Sequence, residues 1–370
     1  MSGSTYDLIV VGGGVMGASA ALRAASGGMR VALLEQDTIG RGASGSNAGT
    51  LSLQIKRVKL MPYALEGHAL WREYGDSVGY RETGGLTVAF TDEEAELLND
   101  RMCLKRSAGA PIRFPSKTEI TEMEPGLSNK ILSASFCAAD GYANSSLTGQ
   151  FYRRLLNEAK VHVFENTAVT AMQAGYHVIA GSLRLRARRL LLATGGWLKL
   201  TGQLLGLDLP ITTRINTVSV SERSPSLISG VIGHATGLLT MKQKPNGSVL
   251  IGGGWQGVGS PDQGPGRVSA ATLIRNLQLA THTVPALAKL RLLRAWTGYE
   301  AHTPDFYPLA GAVTGWPNLY VLGAVRGGYT IGPYIGRLMG DLILERPTER
   351  PLFPPSRFDP QDGVSYAVST

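Results

Sequence analysis

The sequence predicts an α/β protein built on a parallel sheet, and three stretches predict it. The apolar run Tyr6–Val11 leads straight into Gly12-Gly13-Gly14-Val15-Met16-Gly17, then an Ala-rich segment, Ala18–Ala25, and a second apolar run, Arg30–Leu34. The run Leu190–Ala193 ends in Thr194-Gly195-Gly196-Trp197. Leu319–Asp341 repeats the order of strand, glycine-rich turn and helix.

Tyr6–Val11 reads as a buried strand because its apolar residues are nearly continuous rather than alternating. Gly12 permits the tight turn that follows, Gly14 lets the backbone approach a pyrophosphate, and Gly17 lets the helix pack close to the strand. The free N–H groups at the helix start, around Val15 and Met16, then face the diphosphate charge. Gly27-Gly28 ends the helix, and the second strand finishes at Glu35. Glu35 stands 23 residues after Gly12, where an acid accepts hydrogen bonds from the adenosine ribose; Gln36 adjoins it. No Arg follows to receive a 2′-phosphate, which argues against NADP. The unit predicts a bound dinucleotide and leaves NAD and FAD both open.

Composition excludes other classes. With 43% apolar and 17% charged residues the chain has ample material for a core and is not disordered. The two cysteines, Cys103 and Cys137, have no metal-ligand or disulfide-framework spacing, so no metal site is expected. Gly residues and Arg23 interrupt the first apolar region, so no membrane span is expected, and the N-terminus lacks a signal-like core; a cytoplasmic protein is the expectation. The net charge of +8 raises the question of nucleic acid. Its densest run, Arg184, Arg186, Arg188 and Arg189, alternates with Leu and Ala and reads as a solvated strand edge, so no nucleic-acid partner is expected.

Four further segments favour a flat, FAD-like ring system over nicotinamide. Arg41–Thr50 (RGASGSNAGT) is a run of small residues in which Ser44, Gly45, Asn47, Ala48 and Gly49 permit close approach. Ala193, Thr194, Gly195 and Trp197 end a strand that can run beneath a cofactor. Trp296–Gly311 carries Gly298 within Trp-x-Gly-x-Glu-x-x-Thr-Pro-Asp. In Leu319–Asp341 the helix beginning near Gly327, Gly328, Tyr329 and Thr330 directs its N-terminal dipole at developing negative charge.

Together with Thr83-Gly84-Gly85-Leu86 and Ala139-Asp140-Gly141-Tyr142, these motifs resemble the D-amino acid oxidase superfamily of FAD-dependent oxidoreductases, from Asp7 to about Leu344. The likeness is strongest to the FAD (beta) subunits of opine oxidase, D-hydroxyproline dehydrogenase and hydrogen cyanide synthase, with glycine and sarcosine oxidases as wider relatives. The resemblance implies a Rossmann-like FAD/NAD(P)-binding domain of glutathione-reductase type plus an α+β catalytic domain with a large mixed β-sheet. The FAD-binding domain would take residues 1–75, 140–210 and 296–350, the catalytic domain 76–139 and 211–295, and a Pro-rich C-terminal tail 351–370. Val218–Glu222 and Ser248–Gly252 read as strands of the catalytic sheet. Val169 joins the implied cofactor contacts.

The resemblance also implies chemistry: FAD-dependent oxidation of the C–N bond of an amino acid or secondary amine, by hydride transfer to flavin N5, giving an imine. Arg326, in Gly323-Ala324-Val325-Arg326-Gly327-Gly328, matches a carboxylate-binding Arg of glycine oxidase-like members. A second family Arg is replaced by Glu300, which would repel a carboxylate and receive an amino group, or serve as a structural acid on the backbone. Tyr299 and Tyr329 are candidate substrate hydrogen-bonders, with core packing as the alternative; His302 reads as satisfying a turn. Thr297 stands where related sarcosine oxidases carry a flavin-linking Cys, so the FAD is expected to be non-covalent. Leu250 stands where those enzymes carry an oxygen-activating Lys, which favours a dehydrogenase over an oxidase.

The subgroup implies a heteromeric complex with an alpha subunit and an iron–sulfur subunit. Some relatives hold an FMN between subunits; any FMN here would be held non-covalently, because Tyr142–Leu147 contains no His. Two alternatives stand beside this reading: an FAD enzyme acting on a modified tRNA base, and a non-catalytic flavin electron-transfer subunit.

Overall fold

A computed structural model describes residues 5–173 and 175–359. Thr5–Val11 is central to the first sheet, pairing in parallel with Val31–Leu34 on one side and Leu183–Leu192 on the other. His162–Phe164 extends the parallel order beyond Val31–Leu34, and Leu319–Gly323 extends it beyond Leu183–Leu192. At ten residues, Leu183–Leu192 is long enough to serve further partners in series: its first half holds the antiparallel strand His177–Ala180, its last residues Leu319–Val321. Leu8, Ile9, Val10 and Leu190–Leu192 are fully buried, as a parallel strand covered on both faces requires.

One face is covered by two helices, Val15–Ser26 and Gly328–Ile343. Their contact is made by a row of glycines four residues apart. A Cβ on Gly332 would lie 2.6 Å from Val15 Cγ1, on Gly336 2.6 Å from Met16 O, and on Gly340 2.5 Å from Arg23 Cβ. Arg23 and Asp341 pair at 2.7 Å and fix the far end. Pro333 sits inside the second helix and cannot donate to the Tyr329 carbonyl. The indole Nε1 of Trp71, on the helix Met61–Tyr74, donates to the Tyr329 and Thr330 carbonyls instead, at 3.1 and 3.2 Å.

The second sheet has eight strands, in the order Leu292–His302, Thr212–Arg223, Ser248–Gly252, Thr240–Gln243, Val231–His234, Gly85–Ala89, Ser133–Cys137 and Ile112–Arg113. It is mixed, because Val231–His234 runs parallel to Gly85–Ala89 while the other pairs are antiparallel. This sheet roofs the loop that follows the first βαβ unit. The α/β class and the large mixed sheet are as expected from the sequence.

The expected domain boundary at 296 falls inside a strand of the roof. It cuts the strand Leu292–His302, whose whole length pairs with Thr212–Arg223 in the roof. The chain returns to the nucleotide-binding sheet only at Leu309–Ala312, which pairs with Leu319–Gly323. In the tail, Phe353 is buried and bridges Ala310, and Arg357 pairs with Asp305 at 2.8 Å. The remainder of the expected tail, 360–370, lies outside the described residues.

Candidate functional site

The first βαβ unit is shaped so that its glycines have no substitutes. Gly12 has φ +108°, and a Cβ there would sit 2.4 Å from the Ala193 carbonyl oxygen. A Cβ on Gly17 would sit 2.2 Å from the Gly12 carbonyl oxygen. Gly14 is the N-cap of the helix and offers no side-chain cap. The Val15 N–H donates instead to Ser44 Oγ at 2.9 Å, which ties the small-residue loop to the helix start. Glu35 closes the unit, accepting from the Gly13 and Asp37 N–H groups at 2.8 and 3.0 Å, and burial raises its carboxyl pKa. We expect Gly17→Ala to lose its bound cofactor and about 1–3 kcal/mol of stability from overpacking; flavin-to-protein ratio and a thermal melt check this.

The loop Arg41–Thr50 turns on itself. Asn47 Nδ2 donates to the Ala43 and Ser44 carbonyls, both at 2.8 Å, and Asn47 Oδ1 accepts from the Gly49 N–H at 2.6 Å. Gly45 and Gly49 press against the Gly40 and Ala143 carbonyl oxygens, where a Cβ would lie 2.5 and 2.1 Å away. The roof lies directly on this loop. Trp296 Nε1 donates to the Ser46 carbonyl at 2.7 Å, a Cβ on Gly298 would lie 2.3 Å from Ser46 Oγ, and one on Gly252 3.9 Å from Ala48 Cβ.

The arginine turn, residues 323–328, closes the space from a third side. Gly327 is left-handed (φ +66°) and is the N-cap of the helix Gly328–Ile343, again without a side-chain cap. Two helix N-termini therefore meet here: a Cβ on Gly328 would lie 2.8 Å from Met16 Cε. Each presents unpaired N–H groups and a positive dipole end. Arg326 is exposed at the junction of the lobes and has no hydrogen bond or ion pair among the described residues. Its Nη2 would lie 3.1 Å from a Cβ on Gly254 in the roof.

A single residue, Gly327, is held on both sides. Glu300 Oε1 accepts from the Gly327 N–H at 2.8 Å, while Lys56 Nζ donates to the Gly327 carbonyl at 2.7 Å. Glu300 Oε2 accepts from Asn216 Nδ2 at 2.8 Å, and Asn216 Oδ1 accepts from Gln256 Nε2 at 2.8 Å. Lys56 is only 5% exposed, and burial lowers its pKa to about 8 against the opposing pull of Glu300 and Asp140.

A family model for FAD-dependent oxidoreductases (DAO) matches residues 7–342. The chain belongs to this family. It is 28% identical to glycine oxidase of Geobacillus kaustophilus (strain HTA426), over 94% of this chain and 96% of that one. It is 26% identical to a subunit of the opine oxidase of Rhizobium meliloti, over 96% of this chain and 99% of that one. Among solved structures, glycine oxidase from Geobacillus kaustophilus superposes with a TM-score of 0.86 at 26% identity, covering 98% of this chain and 100% of that one.

The residues of this DAO-family chain fit FAD. The glycine cradle, two uncapped helix starts and a small-residue loop form one donor-rich space for an anionic, extended cofactor. Glu35, Ser44, Gly45, Asn47, Ala48, Gly49, Gly298, Gly327 and Gly328 border that space or its immediate supports. Ala193 and Thr194 lie against Gly12, and Gly195 has φ +55° with open space where a Cβ would be. Trp197 donates to the Pro261 carbonyl at 3.1 Å, and Val169 packs into the core beside the parallel sheet. Among the described residues no cluster of acids, His or Cys could hold a metal ion, and no helix is long and apolar enough to cross a membrane.

Not every expected residue joins this group. Tyr299 neighbours Gly298 and Glu300 on its strand and so points to the opposite face. There its hydroxyl donates to the Ser260 carbonyl at 3.0 Å and to that of Gly264, and its ring meets Trp197 edge-on at 5.2 Å. Tyr329 is buried, packs at a tilt against Trp71 with ring centroids 4.5 Å apart, and shares a 2.6 Å hydrogen bond with Thr148 Oγ1. Both rings serve packing. Thr330 is fully buried against the helix Met61–Tyr74, so it offers the site its backbone rather than its hydroxyl. His302 Nδ1 bonds the Thr212 carbonyl across the strand pair at 2.8 Å.

Sequence reasoning missed the buried cations. Lys56 and Lys242 are separated from the motifs in sequence, and only the fold brings them to the turn and the loop. A lysine in a strand-like or apolar stretch, such as Leu239–Lys242, was the available signal.

Proposed function

We propose that the chain oxidises the C–N bond of an amino acid or secondary amine, of D-amino acid, hydroxyproline or opine type, as the catalytic subunit of a heteromeric complex. The observation that carries this reading is Arg326, a guanidinium without a partner among the described residues where the two lobes meet, with Gly254 of the roof beside it. A free Arg in that position suits a bidentate hold on a carboxylate, which sets both the distance and the angle of the adjoining carbon. Bound FAD supplies the hydride acceptor. The chain's own residues orient the substrate, exclude water beneath the roof sheet, and keep the arginine turn in place through Glu300 and Lys56. The amine reacts in its neutral form, because its lone pair must assist departure of the hydride.

Glu300 has both oxygens engaged by the chain, which favours its structural role over direct contact with the substrate amine. The Rhizobium meliloti relative, named as one subunit of an opine oxidase, supports a heteromeric assembly, with an alpha subunit and an iron–sulfur subunit as proposed partners. An iron–sulfur cluster would have to sit on a partner, since this chain has two cysteines in all. An interfacial FMN has a candidate anion site in Lys244, whose ammonium lies 4.3 Å over the Tyr142 ring with Arg81 nearby. Dehydrogenase chemistry with a carrier other than oxygen is the proposed mode.

The test is anaerobic mixing of the flavin-loaded protein with D-proline, D-hydroxyproline, glycine and an opine. Bleaching of the flavin band by at least one is the expected result. A flavin that stays oxidised with all of them would count against amine oxidation, and tight salt-dependent tRNA binding would favour the tRNA-base alternative.

A further inference from the structure

Lysine is among the residues least often fully buried, and when it is buried it is normally paired with an acid. Lys242 is 0% exposed. Its only hydrogen bond among the described residues is donated to the neutral Thr50 Oγ1, at 2.5 Å, and it has no ion pair. The charged group that acts on it is another cation, Lys244, two positions along the chain and just past the end of the strand. Burial therefore pushes its pKa down, to about 7. A fold that keeps such a group carries a destabilising charge with no structural partner to offset it.

Its position suggests a use. Lys242 lies directly across from Leu250, and Thr240 directly across from Gly252, so all four residues share one face of the roof sheet. Gly252 marks that face as the one turned to the small-residue loop, through Ala48. Thr50, which takes the lysine's hydrogen bond, is the last residue of the same loop. The chain thus sets a desolvated positive charge against the loop that borders the cofactor space, where a low dielectric lengthens its reach.

We propose that Lys242 is a positioning residue that holds Thr50 and supplies the buried positive charge that stabilises the electrons taken up at the cofactor site. The proposal rests on the FAD reading above. It predicts that the lysine makes the bound flavin easier to reduce, and so sets which electron donors and acceptors the protein can work with. Lys56, another buried cation near the site, has Glu300 and Asp140 pulling against its desolvation. Lys242 is the uncompensated one.

The experiment is the two-electron reduction potential of the bound flavin, measured by dye equilibration, in the wild-type holoprotein and in Lys242→Met and Lys242→Arg. Met keeps the length and apolar stem of the side chain and removes the charge; Arg keeps the charge. Lys242→Met should shift the oxidised-to-reduced equilibrium at least tenfold towards the oxidised form, about 30 mV for two electrons, and Lys242→Arg should stay near wild type. Equal potentials in all three proteins would overturn the proposal. So would equal drops in Met and Arg, which would reveal a packing effect. Should Lys242→Met not fold, Lys242→Gln is read in its place. A wild-type protein that binds no flavin would refute the FAD reading itself, a result distinct from these.

Discussion

Arg326→Ala should weaken the capture of carboxylate-bearing substrates by roughly tenfold to a hundredfold in kcat/KM, the worth of about 1.5–3 kcal/mol for a hydrogen bond to a charged group. The loss should fall on KM and on the concentration dependence of flavin reduction. The folded state should be little affected, because Arg326 is exposed and bonds to no other described residue. Two controls sharpen the expectation. Arg326→Lys should recover part of the loss, since it restores a charge without the fork. The substrate's primary amide should be handled equally by wild type and Arg326→Ala, because it has no carboxylate to lose. Steady-state rates with acid and amide measure both. An Arg326→Ala protein that turns over the acid unchanged would place the substrate elsewhere and would favour the electron-transfer alternative.

The second large effect is expected at the peptide clamp. Lys56 and Glu300 grip the carbonyl and the N–H of Gly327, the peptide groups on its two sides, so neither acts alone. Lys56→Met leaves a partly buried carboxylate without its nearby cation and a carbonyl without its donor. A cost of about 1–3 kcal/mol is expected, the range for a buried acceptor left without its donor. Glu300→Gln should cost less, because the amide still offers one oxygen to Gly327. The double variant should be less damaged than the sum of the single ones, with a coupling of about 0.5–3 kcal/mol. Denaturant unfolding of the four proteins reads this directly.

The lysine also predicts a pH signature. Desolvation lowers the Lys56 pKa from 10.5 to about 8 in the folded chain. Between those values the unfolded chain binds the proton more strongly than the folded one, so stability rises with pH across that window. As pH falls towards 8 the penalty for the buried ammonium grows, and below 8 it is fully present. Wild type should therefore gain stability relative to Lys56→Met as pH rises from 8 to 10. Melting temperatures across that range check the sign.

Much of the nucleotide lobe was legible because its constraints are local. Gly12, Gly14 and Gly17 are dictated by a turn and a helix contact within one βαβ unit, and Glu35 closes that same unit. The strand-turn-helix at Leu319–Asp341 was readable for the same reason, although its Gly328, Gly332, Gly336 and Gly340 row became meaningful only against the first helix. The roof was legible as strands, but not the partners of those strands. The strand Leu292–His302 carries a motif that suggests the nucleotide lobe, yet its hydrogen bonds belong to Thr212–Arg223, and pairing across that many residues leaves no local signal.

At the site, Arg326 was singled out through its turn, and the structural alternative for Glu300 was already visible as an acid facing a backbone N–H. The tyrosines were harder. Tyr299 differs from Glu300 by one residue, and in a strand one residue decides which face a side chain takes. Tyr329 is set by a helix phase that points it at Trp71. Lys56 and Lys242 were invisible as site residues, since a lysine in sequence reads as solvated surface and only long-range packing buries it.

The proposed reaction takes hydride from the carbon beside an amine nitrogen into FAD. Its most direct test is stopped-flow reduction of the bound flavin, without oxygen, by a substrate carrying hydrogen or deuterium at that carbon. Slower bleaching with deuterium is the predicted result. Bleaching at the same rate with both isotopes, with mixing and binding shown to be faster, would contradict it.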